Sequence, residues 1–276
     1  MPCKIYGEKF RKIRNQKQIP LSYFHTVGVE KSDLSKFERG LTMMGFEKID
    51  MMLQAMNVSL AEYELIINNF VPGFQEVFLN EIDEADFNQE KSKLVKLYEE
   101  AKESGYGLLA IATKARYNKL QDEEIQYVID FLNKIKEWGY FELSVLYFVL
   151  DDLSTEDFRR LFSDFEAKSH NYYGLPKYSR RILQIAYRAV AILSSRNEKN
   201  FVDQIIQATN NRNKGLDIYI DNVRRMALGV YDYYFVNQEQ GKAKIKESLD
   251  IFSLLEHDEL RDYYLKRTEH FFKEEL

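Results

Sequence analysis

The chain has 276 residues, of which 45% are hydrophobic and 30% charged, with a formal net charge of −5. This length allows two domains, and this composition is typical of soluble globular proteins. The single cysteine, Cys3, excludes an intrachain disulfide and a multi-cysteine zinc site. No uncharged apolar run reaches the roughly 18 residues of a transmembrane helix, so we expect a cytoplasmic protein without a membrane partner.

The charge is unevenly distributed along the chain. Residues 1–40 carry nine Lys/Arg and four Asp/Glu, a net +5, which leaves −10 for residues 41–276. A basic N-terminal segment on an acidic body indicates a nucleic-acid-binding domain joined to a domain with another role. Only 12 Gly and 4 Pro interrupt the chain, and this scarcity favours long helices.

The first predicted element is a helix with Tyr6, Phe10, Ile13 and Lys17 along one stripe, and it ends before Pro20. Residues 21–40 then predict two short helices joined by a tight turn around Gly28. Two helices in this arrangement are typical of a helix-turn-helix, whose second helix enters the major groove of double-stranded DNA.

The second of these helices has two chemically different faces. Its inward face carries Leu34, Phe37, Glu38 and Leu41, and its outward face carries Ser32, Ser35, Lys36 and Arg39. Glu38 needs a cation on the buried side, for which we predict Arg14. We predict that Ser35 and Lys36 contact bases and that the other cations contact phosphates or brace the domain. The full set of predicted DNA-binding residues is Arg11, Arg14, Lys17, Lys31, Ser32, Ser35, Lys36 and Arg39.

These residues carry a family resemblance. Arg11-x-x-Arg14, Leu21 and the run Leu34-Ser35-Lys36-Phe37-Glu38-Arg39-Gly40 resemble the N-terminal XRE-type domain of the Rgg/GadR/MutR transcriptional regulators. The chain departs from that pattern at His25, where the family usually has alanine, and at Glu30, where serine usually caps the second helix. Ser32 could cap it instead, so the start of the helix stays open.

Two further helices complete the predicted N-terminal domain. Apolar residues from Phe46 to Met56 follow a helical period, and a capping box at Ser59 opens a fifth helix. Five short helices in residues 1–70 match the size of a lambda-repressor-like domain. Met43, Met44, Met51, Met52 and Met56 are expected to fill its core. The boundary is placed at residues 71–73, which contain Pro72 and Gly73.

Everything beyond the boundary reads as helix, and strand signals are absent. The predicted helices are 74–87, 89–104, 106–118, 121–137, 140–152, 154–170, 177–195, 198–212, 216–237, 239–254 and 258–274. Helix pairs begin near 106, 140, 177 and 216, a spacing typical of a degenerate tetratricopeptide-like α-solenoid, with a non-repeating bundle as the alternative. The overall prediction is an all-α chain with this domain at 74–276, which the Rgg resemblance also implies.

The resemblance implies the ligand of that domain, a short hydrophobic signalling peptide bound in the concave face. Arginine and amide side chains among aromatic ones can bind a peptide's backbone and its terminal carboxylate. The candidate residues are Tyr147, Arg181, Gln184, Arg188, Asn222 and Arg225. Arg181 and Arg188 could equally pair with carboxylates on a neighbouring helix. A different function also fits the pattern, namely a protein-interaction scaffold with a vestigial helix-turn-helix.

Signatures of common enzymes and cofactor sites are missing. The chain has no nucleotide-binding, hydrolase or metalloprotease motif, and its four histidines are scattered, so we expect no catalytic residue, no metal and no cofactor. The acidic pairs at 151–152 and 156–157 are interpreted as helix-start carboxylates.

We expect a homodimer, because a symmetric pair of helix-turn-helix units reads two half-sites. Its predicted interface in the last helices contains Phe252, Leu254, Leu255, Leu260, Tyr263, Tyr264, Phe271 and Phe272.

Overall fold

The computed structural model describes residues 3–210, 212 and 217–272, and every regular element in these ranges is a helix. The predicted all-α fold class is confirmed. The chain divides into two compact units, Met1–Val77 and Phe78–Leu276.

The first unit contains four α-helices and one 3₁₀ helix. They are α1 (Cys3–Gln16), the 3₁₀ helix (Leu21–Val27), α2 (Lys31–Glu38), α3 (Phe46–Ala55) and α4 (Leu60–Ile67). Phe10 packs edge-on against Phe37 and Tyr63, with ring centroids 5.7 and 6.3 Å apart. These rings draw α1, α2 and α4 around one core. The predicted capping box holds the start of α4, where the Ser59 hydroxyl accepts a bond from the Glu62 amide.

Two predictions for this core are corrected. Leu41 does not share the buried face of α2, since its side chain is 64% exposed. The helix ends at Glu38, and Gly40 at φ +70° turns the chain, so that the amide of Leu41 donates back to the carbonyl of Lys36. The predicted core methionines also divide: Met52 and Met56 are buried and Met44 packs against the core, but Met43 and Met51 are exposed.

The second unit contains the remaining helices. They are α5 (Phe74–Phe87), within which the boundary between the units falls, α6 (Lys91–Glu103), α7 (Gly107–Lys114), α8 (Asp122–Lys134), α9 (Tyr140–Val149), α10 (Thr155–Phe162), α11 (Phe165–Ser169), α12 (Pro176–Ser195), α13 (Lys199–Thr209), α14 (Ile218–Phe235), α15 (Gln238–Leu254) and α16 (Asp258–Glu269). Short 3₁₀ turns follow α9 and α11, at Leu150–Asp152 and His170–Tyr172. The single helix predicted over 154–170 is therefore divided.

The helices pack as pairs in sequence. α7, α9, α12 and α14 contact one another in turn, whereas α13 packs on α12 and α15 packs on α14. The first helices of the pairs begin at Gly107, Tyr140, Pro176 and Ile218, as the repeat spacing predicts. At the α14 and α15 crossing, a Cβ on Gly241 would lie 2.4 Å from the Tyr233 amide nitrogen, so only glycine allows this approach. The layer of first helices carries the ligand-binding candidates.

Candidate DNA-reading helix and inner cleft

The outward face of α2 is accessible along its whole length. Lys31, Ser32, Lys36 and Arg39 are exposed and Ser35 is half-buried. Glu30 precedes the first helical residue in an extended conformation, and its side chain makes no capping hydrogen bond. The helix thus begins at Lys31, and Ser32 lies inside it as a surface residue rather than as its cap.

Arg14 is placed differently from the other predicted DNA-binding cations. Its Nε donates to Glu38 Oε1 at 2.6 Å, its second terminal nitrogen donates to Oε2 at 2.8 Å, and its remaining nitrogen donates to the Ile19 carbonyl at 2.7 Å. The bonded Glu38 carboxylate raises the pKa of Arg14. Of the two predicted roles, phosphate contact and bracing, this geometry favours bracing, because all three nitrogens of the buried guanidinium already donate within the unit.

The remaining cations of the first unit stay at the surface. Arg11 and Lys17 are exposed on and just after α1. Lys36 Nζ lies 3.8 Å from an Asp33 carboxylate oxygen one turn earlier, a weak surface pair that leaves the ammonium accessible. Arg39 Nε donates to the Ser35 carbonyl at 3.2 Å. The α2 surface is therefore rich in donors that can reach phosphates or base edges.

The second unit contains three neighbouring cavities, which we together call the inner cleft. The first has a volume of about 390 Å³, the second about 500 Å³ and the narrow third about 40 Å³. Tyr147 and Gln184 line both the second and the third, whereas Arg188 and Arg267 line both the third and the first. The three cavities are therefore neighbours that share lining side chains.

The structure brings three of the predicted peptide-binding residues together in the second cavity, Tyr147, Arg181 and Gln184. The buried Arg181 guanidinium pairs with Asp83 and lies 4.5 Å from the centre of the Tyr147 ring. Gln184 donates to the Tyr219 hydroxyl at 3.0 Å. Burial raises the pKa of Tyr219 to about 12, so its hydroxyl stays neutral and can donate or accept. An aromatic wall with a few fixed polar groups suits an apolar ligand with a backbone to bind.

Arg188 lies in the first cavity, within a cluster of charges. Its Nε donates to Asp151 Oδ1 at 2.8 Å, and one terminal nitrogen donates to the Arg267 carbonyl at 3.0 Å. Arg116 donates to Asp86 at 2.9 Å. The interpretation of Asp151 as a carboxylate at the start of α10 is wrong. Asp151 lies before Ser154, the capping residue of α10, and its carboxylate pairs with Arg188 and Arg267. Asp157 does lie at a helix start, since its carboxylate accepts from the amide of Ser154, the capping residue of α10, at 3.0 Å.

Asn222 and Arg225 do not line the inner cleft. The Asn222 side-chain amide donates to the Ser248 carbonyl at 2.8 Å, and Arg225 pairs with Glu247, so both face α15. The α14 residues that do line the cleft are Tyr219, Val223, Met226, Ala227 and Val230. The two predicted residues and the residues that line the cleft therefore lie on different faces of α14.

The last helix, α16, forms one wall of the cleft. The Tyr263 hydroxyl donates to Asp86 at 2.9 Å, and Lys266 Nζ donates to Gln89 Oε1 at 2.6 Å. The Tyr264 ring stacks on Phe252 with centroids 5.5 Å apart. Among the residues predicted to form a dimer interface, these aromatic side chains instead pack within their own unit.

Sequence reasoning missed several residues of the cleft. They are Asp83, Asp86, Arg116, Asp151, Tyr219, Tyr263 and Arg267. Asp86 and Arg267 lie 181 positions apart in the chain, and no local pattern connects them. Within the described residues, no group of three or more metal-ligating side chains is placed to share an ion, and no helix has the length and apolar character needed to cross a membrane.

Comparison with known proteins finds one matching family model and several structures with a similar fold. Residues 81–266 match the model of the C-terminal domain of the HTH-type transcriptional regulator Rgg. The crystal structure of the SHP pheromone receptor Rgg2 from Streptococcus dysgalactiae is 19% identical over 96% of this chain and 100% of that chain, with a TM-score of 0.78.

Two further structures share the fold. A bacterial peptide pheromone/receptor complex is 13% identical over 98% of this chain and 99% of its own, with a TM-score of 0.68. The PrgX/cCF10 complex is 13% identical over 95% of this chain and 98% of its own, with a TM-score of 0.66. At these identities the similarity establishes a common fold.

Proposed function

The chain belongs to the Rgg family of helix-turn-helix transcriptional regulators, and from this premise we propose that a short hydrophobic peptide in the inner cleft controls its binding to a specific DNA operator. The protein acts in the cytoplasm, where its DNA is. It binds double-stranded DNA as a homodimer, since one short helix reads too few base pairs for high specificity.

The exposed face of α2 supports the DNA-binding part of the proposal. Ser35 and Lys36 lie on that face and are suited to base edges, whereas Arg11, Lys17, Lys31 and Arg39 are suited to phosphates. Ser32 belongs to the same surface. The pairing of Arg14 with Glu38 positions α2 rather than contacting DNA.

The inner cleft supports the peptide-binding part, and its second cavity is the observation that carries it. Its volume of about 500 Å³ lies within the usual range for ligand sites, roughly 300–1,000 Å³. Tyr140, Tyr147, Tyr219 and Tyr263 supply apolar rings with polar tips. Such walls bury apolar side chains and leave hydroxyl and amide groups for the peptide backbone.

The experiment begins with selection of duplexes with a random core by the full-length protein. We expect one sequence to be enriched, with affinity that falls steeply as salt rises because phosphate contacts release counterions. Peptides retained by the purified protein are then identified by mass spectrometry, synthesised and added to the DNA-binding assay. The proposal fails if no sequence is enriched, or if no peptide alters DNA affinity.

A matched pair of variants locates the effect. Gln184→Ala changes the cleft, whereas Gln207→Ala changes an exposed glutamine on α13 outside it. We expect the first to weaken the response to peptide and the second to leave it unchanged. Equal responses in both variants would place the peptide elsewhere.

A further inference from the structure

The carboxylate of Glu30, the residue directly before α2, does not cap that helix. Its backbone is extended, with φ −73° and ψ 141°, and its carbonyl accepts from the amides of Asp33 and Leu34 at 3.1 and 3.0 Å. A side-chain oxygen at this position normally accepts from an amide of the first turn, but the Glu30 side chain makes no such bond. The start of α2 therefore does not use this carboxylate.

The backbone directs the Glu30 side chain away from the core. Consecutive side chains of an extended segment point to opposite sides, and the preceding Val29 is buried. The side chain of Glu30 is accordingly 69% exposed. In a helix-turn-helix, the N-terminal residues of the second helix contact the edges of bases. Glu30 thus lies at the end of α2 that enters the major groove.

The charges around Glu30 leave its carboxylate available to another molecule. Within the described residues it lacks a lysine or arginine partner, and it pairs instead with the exposed His25, whose Nε2 lies 3.6 Å from its Oε1. By contrast, Asp33 pairs with Lys36, and Glu38 is bound by Arg14. An exposed pair of such length contributes little, so both oxygens of Glu30 can accept hydrogen bonds from DNA.

Few groups of double-stranded DNA can match a carboxylate. The phosphates repel it, and the donors that bases present in the major groove are the amino groups of cytosine N4 and adenine N6. The adenine amino group lies beside the N7 acceptor, which repels the second carboxylate oxygen. The amino group of cytosine lies beside the C5–H edge, which carries no acceptor. This chemistry favours cytosine.

We propose that Glu30 is a specificity-determining residue, whose carboxylate accepts a hydrogen bond from the N4 amino group of one cytosine in each operator half-site. This inference rests on the proposed function and adds a base preference to it. Repulsion between Glu30 and the phosphates opposes binding to every sequence, and a cytosine at this position offsets the repulsion. The carboxylate therefore discriminates against other bases at a cost in overall affinity.

The test selects duplexes with a random core in parallel by full-length wild type, Glu30→Gln and Glu64→Gln. Glutamine keeps the size of the side chain and removes its charge, and Glu64, exposed on α4, is the matched control. We expect wild type and Glu64→Gln to enrich one motif, with a cytosine in each half-site that Glu30→Gln no longer prefers. The other positions of the motif should be the same for all three proteins.

Affinities for the selected operator then measure the contact. Replacing the C·G pair by T·A exchanges the N4 donor for the O4 acceptor of thymine, so wild type should lose roughly 5- to 150-fold in affinity. Glu30→Gln should lose less than about threefold, because an amide can accept from cytosine or donate to thymine. Its affinity for random duplex should rise, since one negative charge is removed from the DNA-binding surface.

A purely structural role of Glu30 predicts a different result. If the carboxylate only stabilised the start of α2 through the helix dipole, Glu30→Gln would melt at a lower temperature and bind operator and random duplex more weakly to the same extent. Glu30→Ser removes the carboxylate but supplies a capping hydroxyl, so it should fold at least as stably as wild type and lose the same base preference.

The proposal is overturned if Glu30→Gln and Glu30→Ser enrich the same motif as wild type, or if the lost preference is for a base other than cytosine. Equal losses on operator and random duplex would also overturn it. These results would leave the proposed function intact, because an enriched motif shows specific DNA binding whichever residue reads it. Enrichment of no motif by wild type would defeat both.

Discussion

Arg14 and Glu38 form a buried two-point ion pair that joins α1 to α2, with nitrogen to oxygen distances of 2.6 and 2.8 Å. Both side chains are almost fully buried, at 10% and 4% exposure. The position of α2, and with it the whole DNA-reading face, therefore depends on a contact between two charges that do not themselves face DNA.

We expect Glu38→Gln to destabilise the first unit by about 3–5 kcal/mol, because removal of one partner leaves a buried arginine uncompensated. Amide hydrogen exchange of residues 10–60 in the full chain measures the loss. Glu8→Gln is the control, since Glu8 makes only an exposed pair with Lys4 and should change stability by less than about 0.5 kcal/mol. Normal protection with loss of DNA binding would instead make Glu38 a DNA-contacting residue.

This pair shows what the sequence can and cannot predict. Glu38 falls on the apolar stripe of α2, so periodicity alone indicates that it needs a buried cation, and Arg14 was predicted to supply it. The end of α2 was not predictable in the same way, because Gly40 turns the chain and exposes Leu41. A periodic pattern does not report where a helix stops.

The residues of the inner cleft also differ in how far the sequence predicts them. Tyr147, Arg181 and Gln184 were identifiable because they lie on the first helices of the repeats. Asn222 lies on such a helix too, but it faces α15, and the sequence does not specify the rotation of α14. The contact of Arg267 with Asp86 depends on the return of α16 to α5, which is a property of the tertiary packing.

Lys36→Ala is expected to weaken binding to the selected operator by about 1–3 kcal/mol and to change affinity for random duplex much less. Lys36 is exposed on the outward face of α2, where its ammonium can reach a base edge. Fluorescence anisotropy with both duplexes at one salt concentration measures the two losses. Lys48→Ala, an exposed lysine on α3, is the control. Equal losses on the two duplexes would reduce Lys36 to a phosphate contact.

Gly7→Ala tests the close approach of α1 to the end of α2. A Cβ at this position would lie 1.8 Å from the Phe37 carbonyl oxygen, which is backbone and cannot rotate away. Alanine gains about 1 kcal/mol of helix propensity over glycine, but an overpacked contact costs about 1–3 kcal/mol or more, so the clash should dominate.

Calorimetry of the full chain should show a lower melting temperature for the first unit in Gly7→Ala. Gly45→Ala is the matched control, because a Cβ on Gly45 meets nothing within 4 Å and its φ of −59° suits alanine. A melting temperature equal to that of the wild type would show that α1 can shift away from Phe37 at no cost.

The stability of the second unit should fall in acid through Asp86 and Asp151. The pKa of each carboxyl group is lowered in the folded protein, because neighbouring arginines outweigh the effect of burial, which raises it. Arg116 and Arg267 act on Asp86. Arg188, Arg267 and Arg116 act on Asp151. A carboxylate whose pKa is depressed in the folded state stabilises the fold above its unfolded pKa of about 3.9, and this stabilisation is lost as pH falls.

Asp151→Asn should therefore be less stable than the wild type at neutral pH, and the difference should narrow as pH falls toward 3. Urea unfolding followed by the fluorescence of Trp138, the single tryptophan and fully buried, measures the second unit. Asp130→Asn, an exposed residue that accepts from Gln126, should show no such narrowing. A constant difference between Asp151→Asn and wild type at all pH values would contradict the role of this carboxylate.

The last prediction concerns the homodimer, whose interface was placed in the last helices. Most of its predicted aromatic residues pack within their own unit, and truncation before α16 would therefore expose the core. Leu254 and Leu255 remain, at 82% and 54% exposure at the end of α15. These two adjacent leucines are the part of the predicted dimer interface that stays exposed to solvent in the single chain. A symmetric contact between two copies would bury them.

Light scattering should give the mass of a dimer for the full chain and of a monomer for Leu254→Glu. The substitution should change the unfolding free energy of an isolated subunit by less than about 0.5 kcal/mol, because Leu254 is exposed within its own subunit. Tyr127→Glu, which charges a residue 55% exposed on α8, should remain dimeric. A monomeric wild type would refute the dimer. A two-fold contact at Leu254 would bury the new carboxylate twice, unpaired in both copies, and should therefore break. A dimeric Leu254→Glu would thus show that the interface does not lie at the end of α15.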